Sequence, residues 1–243
     1  MQSSKTLIFR GFILFLVMAL LLVGGDGFAT ENTGTATSTL LTSATSDDLW
    51  VNQNLVDTDS EPGMHADSDN GVVINNSSVS TVGLLAHGMV AGTGVYGGLL
   101  ATNIGLVVTS GDQANGMYAQ MGSILENRGT IITDGVKAHG MYAWNNSSAD
   151  NYGTIETGGA GSHGMVAFQT SKIFHYGLET IETWGDGSHG MEASYFSYAE
   201  NSGSIITHGD DAWGMYAVTS SDVKNTETGS ITTWGAGSHG MVA

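Results

Sequence analysis

The sequence predicts an all-β fold, a single-stranded parallel β-helix (a solenoid) of about 7–8 coils with 24–28 residues per coil. The main observation is a pattern, [Val/Ile]-x-Thr-x-Gly-x-x-[Ala/Ser]-x-Gly-Met-x-Ala, whose copies begin at Val79, Val107, Ile131, Ile155, Ile181, Ile205 and Ile231. A shortened copy runs from Val56 to Ala66. Helical repeats are excluded because the chain has 36 glycines and shows no apolar stripe of period 3.6.

Two strands per coil follow from a period of two within the pattern. The Gly-Met-x-Ala segment keeps methionine and alanine at positions that share one face, so both should point inward. The residue between them is valine, tyrosine or, once, Glu192, and we expect this outward position to be solvated because burying a carboxylate is costly. The [Val/Ile]-x-Thr segment has fixed outer residues and a variable middle one, which predicts a second strand.

Glycine marks the corners between these two strands and a third, less regular side. The corner glycines are Gly83, Gly111, Gly135, Gly159, Gly185, Gly209 and Gly235, where we expect a left-handed backbone or a close approach of neighbouring chains. Asn127-x-Gly129 and similar pairs predict a turn held by the asparagine side chain. Insertions before Ile181 and Ile231 place the variable residues on the third side.

The chain divides into three segments. Residues 1–29 combine Lys5 and Arg10 with an apolar run and small residues, which is typical of a cleaved signal peptide. The apolar run is short for a membrane span, so we expect no span in the mature chain, with a retained signal anchor as the alternative. Residues 30–50 are rich in Ser and Thr and predict a flexible leader, and residues 51–243 form the repeat domain.

The net charge of the chain restricts the classes of partner that it can bind. The sequence has 6 Lys and Arg against 23 Asp and Glu, and cleavage after Ala29 removes Lys5, Arg10 and Asp26 to leave a formal charge of −18. Such an acidic chain repels nucleic acid and anionic lipid, so we expect no nucleic-acid partner. There is no cysteine, so an exported form must be stabilised by its strand ladder and core rather than by disulfides.

The repeats resemble a known family. The block from Asn127 to Ala143 reads Asn-Arg-Gly-Thr-Ile-Ile-Thr-Asp-Gly-Val-Lys-Ala-His-Gly-Met-Tyr-Ala, and with the block from Asn151 to Ala167 it is similar to the β-helical passenger repeats of bacterial autotransporters (type V secretion). This resemblance implies export, carriage to the surface of a Gram-negative bacterium by an outer-membrane β-barrel translocator, and often an adhesive role. No barrel-type strands follow, so we expect a truncated chain or a separate translocator.

An aromatic stripe is the predicted ligand-binding site. Trp184, His208 and Trp234 share the position between Thr and Gly on consecutive coils, and Trp213 lies in the neighbouring column. Exposed aromatic residues in a row suit surface glycans or a protein partner. Stacking that only stiffens the corner is the alternative explanation.

Histidines form a second column. The residue before Gly-Met is His87, Asn115, His139, His163, His189, Trp213 or His239. Imidazoles suit zinc or copper, but zinc ligands converge tetrahedrally, whereas a ladder spreads them along the axis. We therefore expect structural stacking, with no metal and no other cofactor.

Catalytic residues are not predicted. Ser162 and His163 are adjacent along the chain and should point to opposite faces, so they cannot act as nucleophile and base. The sequence therefore favours a non-enzymatic cell-surface or secreted passenger module acting in adhesion, aggregation or as a structural spacer. The alternative is a β-helical carbohydrate-active enzyme, a polysaccharide lyase or hydrolase, which would need clustered acids beside a basic residue.

Overall fold

The computed structural model describes residues 29–32, 35–36, 40–41, 49–67, 71–92 and 97–243. These residues form an all-β parallel solenoid of about 8 coils, with no helix in the part described. The predicted fold class is therefore confirmed. The predicted signal peptide lies outside the described residues except for Ala29, and most of the predicted leader does too.

Three parallel sheets run the length of the solenoid, with nine, eight and nine strands. The first sheet contains Ala29–Asn32, Leu49–Asn52, Val72–Asn75, Leu100–Asn103, Ile124–Asn127, Ser148–Asn151, Lys172–His175, Tyr198–Asn201 and Asp222–Asn225. The second contains Leu55–Thr58, Ser78–Thr81, Leu106–Thr109, Thr130–Thr133, Thr154–Thr157, Thr180–Thr183, Ser204–Thr207 and Ser230–Thr233. The third contains Leu40–Leu41, Met64–Ala66, Met89–Ala91, Met117–Ala119, Met141–Trp144, Met165–Phe168, Met191–Ser194, Met215–Val218 and Met241–Val242.

Each strand pairs with its equivalents in the neighbouring coils. In the third sheet Met141 pairs with Met165, and in the second sheet Ile131 pairs with Ile155. Because the register does not slip, each position of the repeat becomes a straight column of side chains along the axis. The predicted inward columns are confirmed, since the methionine, alanine, valine or isoleucine and threonine positions are buried along most of the solenoid.

Buried threonines close the core without leaving polar groups unsatisfied. The Thr133 hydroxyl donates to the carbonyl of Ala138 at 2.7 Å, and Thr157 donates in the same way to Ser162 at 2.6 Å. Each bond spans the corner between the second and third sheets. The column therefore fixes the corner as well as filling the interior.

The third side of each coil is a regular sheet, which corrects the prediction that it would be less regular. Its strands bury an apolar residue and then an asparagine two positions later, as in Ala149 and Asn151. Asn127 Nδ2 donates to Asn151 Oδ1 at 2.7 Å, and Asn127 Oδ1 accepts the N–H of Gly129 at 3.2 Å. The predicted asparagine turn is confirmed, and the same side chains also form a ladder between coils.

The corner glycines serve close approach rather than a left-handed backbone. A side chain at Gly111 would overlap the backbone oxygen of Gly83 in the preceding coil. The left-handed residue lies two positions later, and it is glycine in some coils and Lys137 or Asp211 in others. Coils can therefore stack at β-ladder spacing only if the corner residue has no side chain.

Candidate functional site

The predicted aromatic stripe lies at the end of the second sheet, on the outer side of the corner. Trp184 and His208 stack with ring centroids 3.8 Å apart and an interplanar angle of 4°. His208 Nε2 lies 2.8 Å from Glu182 Oε1, which holds the imidazole in place. Trp184 is 49% exposed and Trp234 is 70% exposed, so both indoles offer apolar surface to a partner.

Trp213 does not belong to this stripe. It stacks on His189 with centroids 4.7 Å apart and an angle of 5°, and it meets Tyr216 edge-on at 4.6 Å. Its indole N–H donates to the carbonyl of Gly237 at 3.3 Å. The structure thus divides the predicted set into a corner group (the exposed Trp184 and Trp234 with the half-buried His208) and a half-buried Trp213 that extends the histidine column.

The histidine column is a hydrogen-bonded ladder. The N–H of His163 donates to Nδ1 of His139 at 3.0 Å, and the N–H of His189 donates to Nδ1 of His163 at 2.8 Å. The same bond joins Trp213 to His189 at 3.0 Å, and Asn115 Oδ1 takes this role for the N–H of His139 at 2.9 Å. Each imidazole therefore satisfies a backbone N–H that the corner would otherwise leave without a partner.

This ladder also fixes the tautomer of the rings. A backbone N–H can only donate, so Nδ1 must accept and the neutral ring carries its proton on Nε2. Burial lowers the pKa of His139 to about 3 and that of His189 to about 3, with the neighbouring His163 adding to both shifts. At neutral pH these imidazoles are uncharged donors that point outward through Nε2.

The one group of possible metal ligands in the described part of the chain is His163, His189 and Glu192, whose ligand atoms lie within 4.8 Å of one another. The rings of His163 and His189 are parallel, with an angle of 6° and centroids 4.7 Å apart. Lone pairs in parallel planes do not converge on one ion, and each Nε2 already carries a proton. The donor set therefore does not fit a metal, which favours the structural interpretation of the column.

Glu192 occupies an outward position but is not freely solvated, so that part of the prediction is wrong. Its Oε2 lies 3.0 Å from Nε2 of His163, and only 20% of its side chain is exposed. Burial, the largest single effect, would raise the pKa of this carboxyl, but the hydrogen bond from His163 and the electrostatic effects of His163, His189 and His139 together lower the pKa to about 2. Glu192 is thus a fixed acceptor for the histidine column.

The Ser-His pairs have structural partners. Ser162 Oγ donates to the carbonyl of Gly135 at 2.8 Å and accepts the N–H of Ala138 at 3.0 Å, while Nδ1 of His163 accepts the N–H of His189. The serine hydroxyl and the imidazole therefore engage the backbone of neighbouring coils rather than each other. Nucleophilic catalysis of the Ser-His kind has no geometric basis at this pair.

The sequence reasoning missed an aromatic cluster on the first sheet. Tyr152 and Tyr176 stack at 4.9 Å, Phe174 lies 5.9 Å from Tyr176, and the Arg128 guanidinium lies 4.7 Å from the Tyr152 ring centre. The two-residue insertion beside this cluster leaves Leu178 97% exposed. The signal for the cluster is the pair Tyr152 and Tyr176, each of which follows the last residue of a strand in the first sheet.

Within the described residues, no helix has the length and apolar character needed to cross a membrane. Comparison with models of protein families, with curated protein sequences and with solved structures finds no match to this chain. The functional interpretation therefore depends on the geometry described above.

Proposed function

We propose that the protein is a non-enzymatic passenger module, displayed on or released from the surface of a Gram-negative bacterium, that acts in adhesion, aggregation or spacing. The observation that carries this proposal is the unbroken register of three long sheets, because every outward position recurs along the axis at ladder spacing. Repeated shallow contacts suit multivalent binding, in which many weak interactions act together.

The exposed indoles are the most favourable contact points on this surface. Trp184 is held by stacking on His208, so little side-chain entropy is lost when a partner covers it. Trp234 lies two coils from Trp184, one coil beyond His208, and is 70% exposed. Surface glycans or proteins are the partners that such rings suit, and export by an outer-membrane β-barrel translocator follows from the resemblance of the repeats to autotransporter passengers.

Display on cells tests this proposal. Residues 30–243 are fused to an outer-membrane barrel, and the attachment and aggregation of the cells are compared with those of cells that carry the barrel alone. We expect increased attachment or aggregation and no glycan cleavage by the purified protein. Unchanged cell behaviour together with glycan cleavage would instead identify a carbohydrate-active enzyme.

A further inference from the structure

A groove of about 290 Å³ opens beside the histidine column near its N-terminal end. Corner residues Leu85, Gln113 and Lys137 form its outer wall, and the rings of Tyr118 and Tyr142 form the opposite wall. Asn115 lies in its floor. A groove of this size is at the lower end of small-molecule sites and suits a single sugar unit.

The groove exists because Asn115 interrupts the column of rings. His87 and His139 lie two coils apart, or roughly 9.6 Å at ladder spacing, and the side chain between them is an amide rather than an imidazole or indole. Tyr118 covers part of the gap by stacking on His87 at 4.9 Å, and Tyr142 lies 5.5 Å from His139. The remaining space opens to solvent.

The floor of the groove offers an unused hydrogen-bond donor. Asn115 is only 6% exposed, and its Oδ1 is occupied by the N–H of His139 at 2.9 Å. Its Nδ2 has no hydrogen-bond partner among the described residues. Nδ1 of His87 and Nδ1 of His139 accept backbone N–H groups at 2.9 and 3.0 Å, so both rings carry their proton on Nε2.

The walls add further donors and a cation. Burial raises the pKa of Tyr142 to about 12 and also raises that of Tyr118, so both phenols stay protonated at neutral pH. Lys137 makes no ion pair within the described part of the chain. The groove thus combines a positive charge and several donors with the edges of two tyrosine rings, although the protein as a whole is strongly acidic.

The residues of the outer wall have a strained backbone conformation. Leu85, Gln113 and Lys137 have φ values of 61°, 56° and 55°, in the left-handed region that favours glycine. The same corner position holds Gly161 and Gly187 in later coils, so the fold does not require a side chain here.

We propose that this groove binds a pyranose unit that carries a carboxylate, as a hexuronate in a glycan chain does. The carboxylate faces the Lys137 ammonium and the free amide of Asn115, and an apolar face of the sugar lies against the edges of Tyr118 and Tyr142, whose faces stack on each other with centroids 5.7 Å apart. Charge-assisted hydrogen bonds from an ammonium and from N–H groups to a carboxylate are stronger than neutral ones, which favours the acid over a neutral sugar. This inference does not depend on where the protein is displayed.

Calorimetric titration of the full chain with glucuronate and with glucose tests the proposal, because the two sugars differ only at the carboxylate. We expect glucuronate to bind at least about tenfold more tightly than glucose, a difference of about 1.4 kcal/mol. Equal affinities, or no heat with either sugar, would overturn the proposal.

Two variants separate binding from folding. Asn115→His restores the repeat, since histidine Nδ1 accepts the same backbone N–H in other coils, and it fills the groove with a ring. Lys137→Gly removes the cation and relieves the left-handed strain. We expect both variants to lose glucuronate binding and Lys137→Gly to melt at a higher temperature than the parent.

Asp211→Gly is the matched control because it makes the same backbone change at a corner where Trp213 fills the ring column. It should leave glucuronate binding unchanged. If Lys137→Gly and Asn115→His both bind glucuronate as tightly as the parent, the groove is not the site.

Discussion

The backbone N–H of His189 donates a 2.8 Å hydrogen bond to Nδ1 of His163 in the preceding coil. This bond places the ring proton of His163 on Nε2, where it meets Glu192 at 3.0 Å. The histidine column resembles a set of metal ligands in the sequence. In the structure, its side chains accept hydrogen bonds from the backbone N–H groups of a corner.

Zinc titration checks the structural role of this column. We predict no binding tighter than about 1 μM, which corresponds to about −8.2 kcal/mol, because the parallel rings cannot converge on one ion and their Nδ1 atoms are already acceptors. The measurement is calorimetry of the full chain. Stoichiometric tight binding that disappears in His163→Ala would show that the rings rearrange around a metal.

The buried imidazoles make stability dependent on pH. The pKa values of His87, His139 and His189 fall from 6.5 to about 4, about 3 and about 3, mainly because of burial. Below pH 6.5 the histidines of the unfolded chain bind protons, whereas the buried histidines of the folded chain stay neutral. The contribution of these histidines to the free energy of unfolding is therefore fully present above pH 6.5 and is lost as the pH falls. We predict a loss that is small above pH 6.5 and approaches roughly 1.4 kcal/mol per pH unit for each histidine below about pH 6, measured by urea denaturation between pH 7.5 and 5.

His139→Asn is the matched variant for this pH dependence, because the chain itself uses asparagine for the same bond at Asn115. It should reduce the slope of stability against pH without abolishing folding. A denaturation midpoint that does not change with pH in the parent protein would contradict the neutral, buried state of the column.

Glu192→Lys tests the contact between the third sheet and the histidine column. The substitution removes the acceptor for the His163 Nε2–H and leaves this buried donor without a partner, so we predict a loss of about 1–3 kcal/mol. Glu156→Lys is the control because Glu156 is an exposed outward residue that pairs in register with the like-charged Glu182. The control should be neutral or stabilising, and equal denaturation midpoints for the two variants would disprove the contact.

Asn127→Ala tests the amide ladder of the first sheet. It removes hydrogen bonds to Asn103, Asn151 and Gly129 in a buried position, and we predict a loss of roughly 2–4 kcal/mol. His175→Asn is the matched control, since His175 Nδ1 lies 3.0 Å from Asn151 Nδ2 and the substitution restores the repeat. Chemical denaturation should show a much smaller change for this control, and similar losses in both would mean that the ladder itself contributes little.

The sequence alone predicts which residues of a coil point inward, but it does not predict which side chains of neighbouring coils contact each other. The burial of Met165 and Thr133 followed from a period of two and a fixed residue type. The repeat pattern does not predict the contact between Glu192 and His163. This contact depends on which side chain lies in the neighbouring coil and on the length of that side chain.

The first sheet is harder to predict from the sequence for a related reason. Its inward apolar position alternates between small and large residues, such as Ala149 and Ile173, so no single residue type marks the column. From the sequence alone, the recurring asparagine predicts only a turn. Its complete burial and its bonds along the axis become apparent only when the coils are stacked.

The aromatic stripe carries the central claim that the protein acts by contact rather than by catalysis. The most direct measurement compares surface attachment of cells that display the parent protein, the double variant Trp184→Ala/Trp234→Ala, or Trp213→His, which restores the repeat residue in the histidine column. We predict that the double variant loses attachment while Trp213→His keeps it, with all three proteins retaining a β-rich circular dichroism spectrum. Unchanged attachment in the double variant, with glycan cleavage by the purified parent protein, would contradict the account.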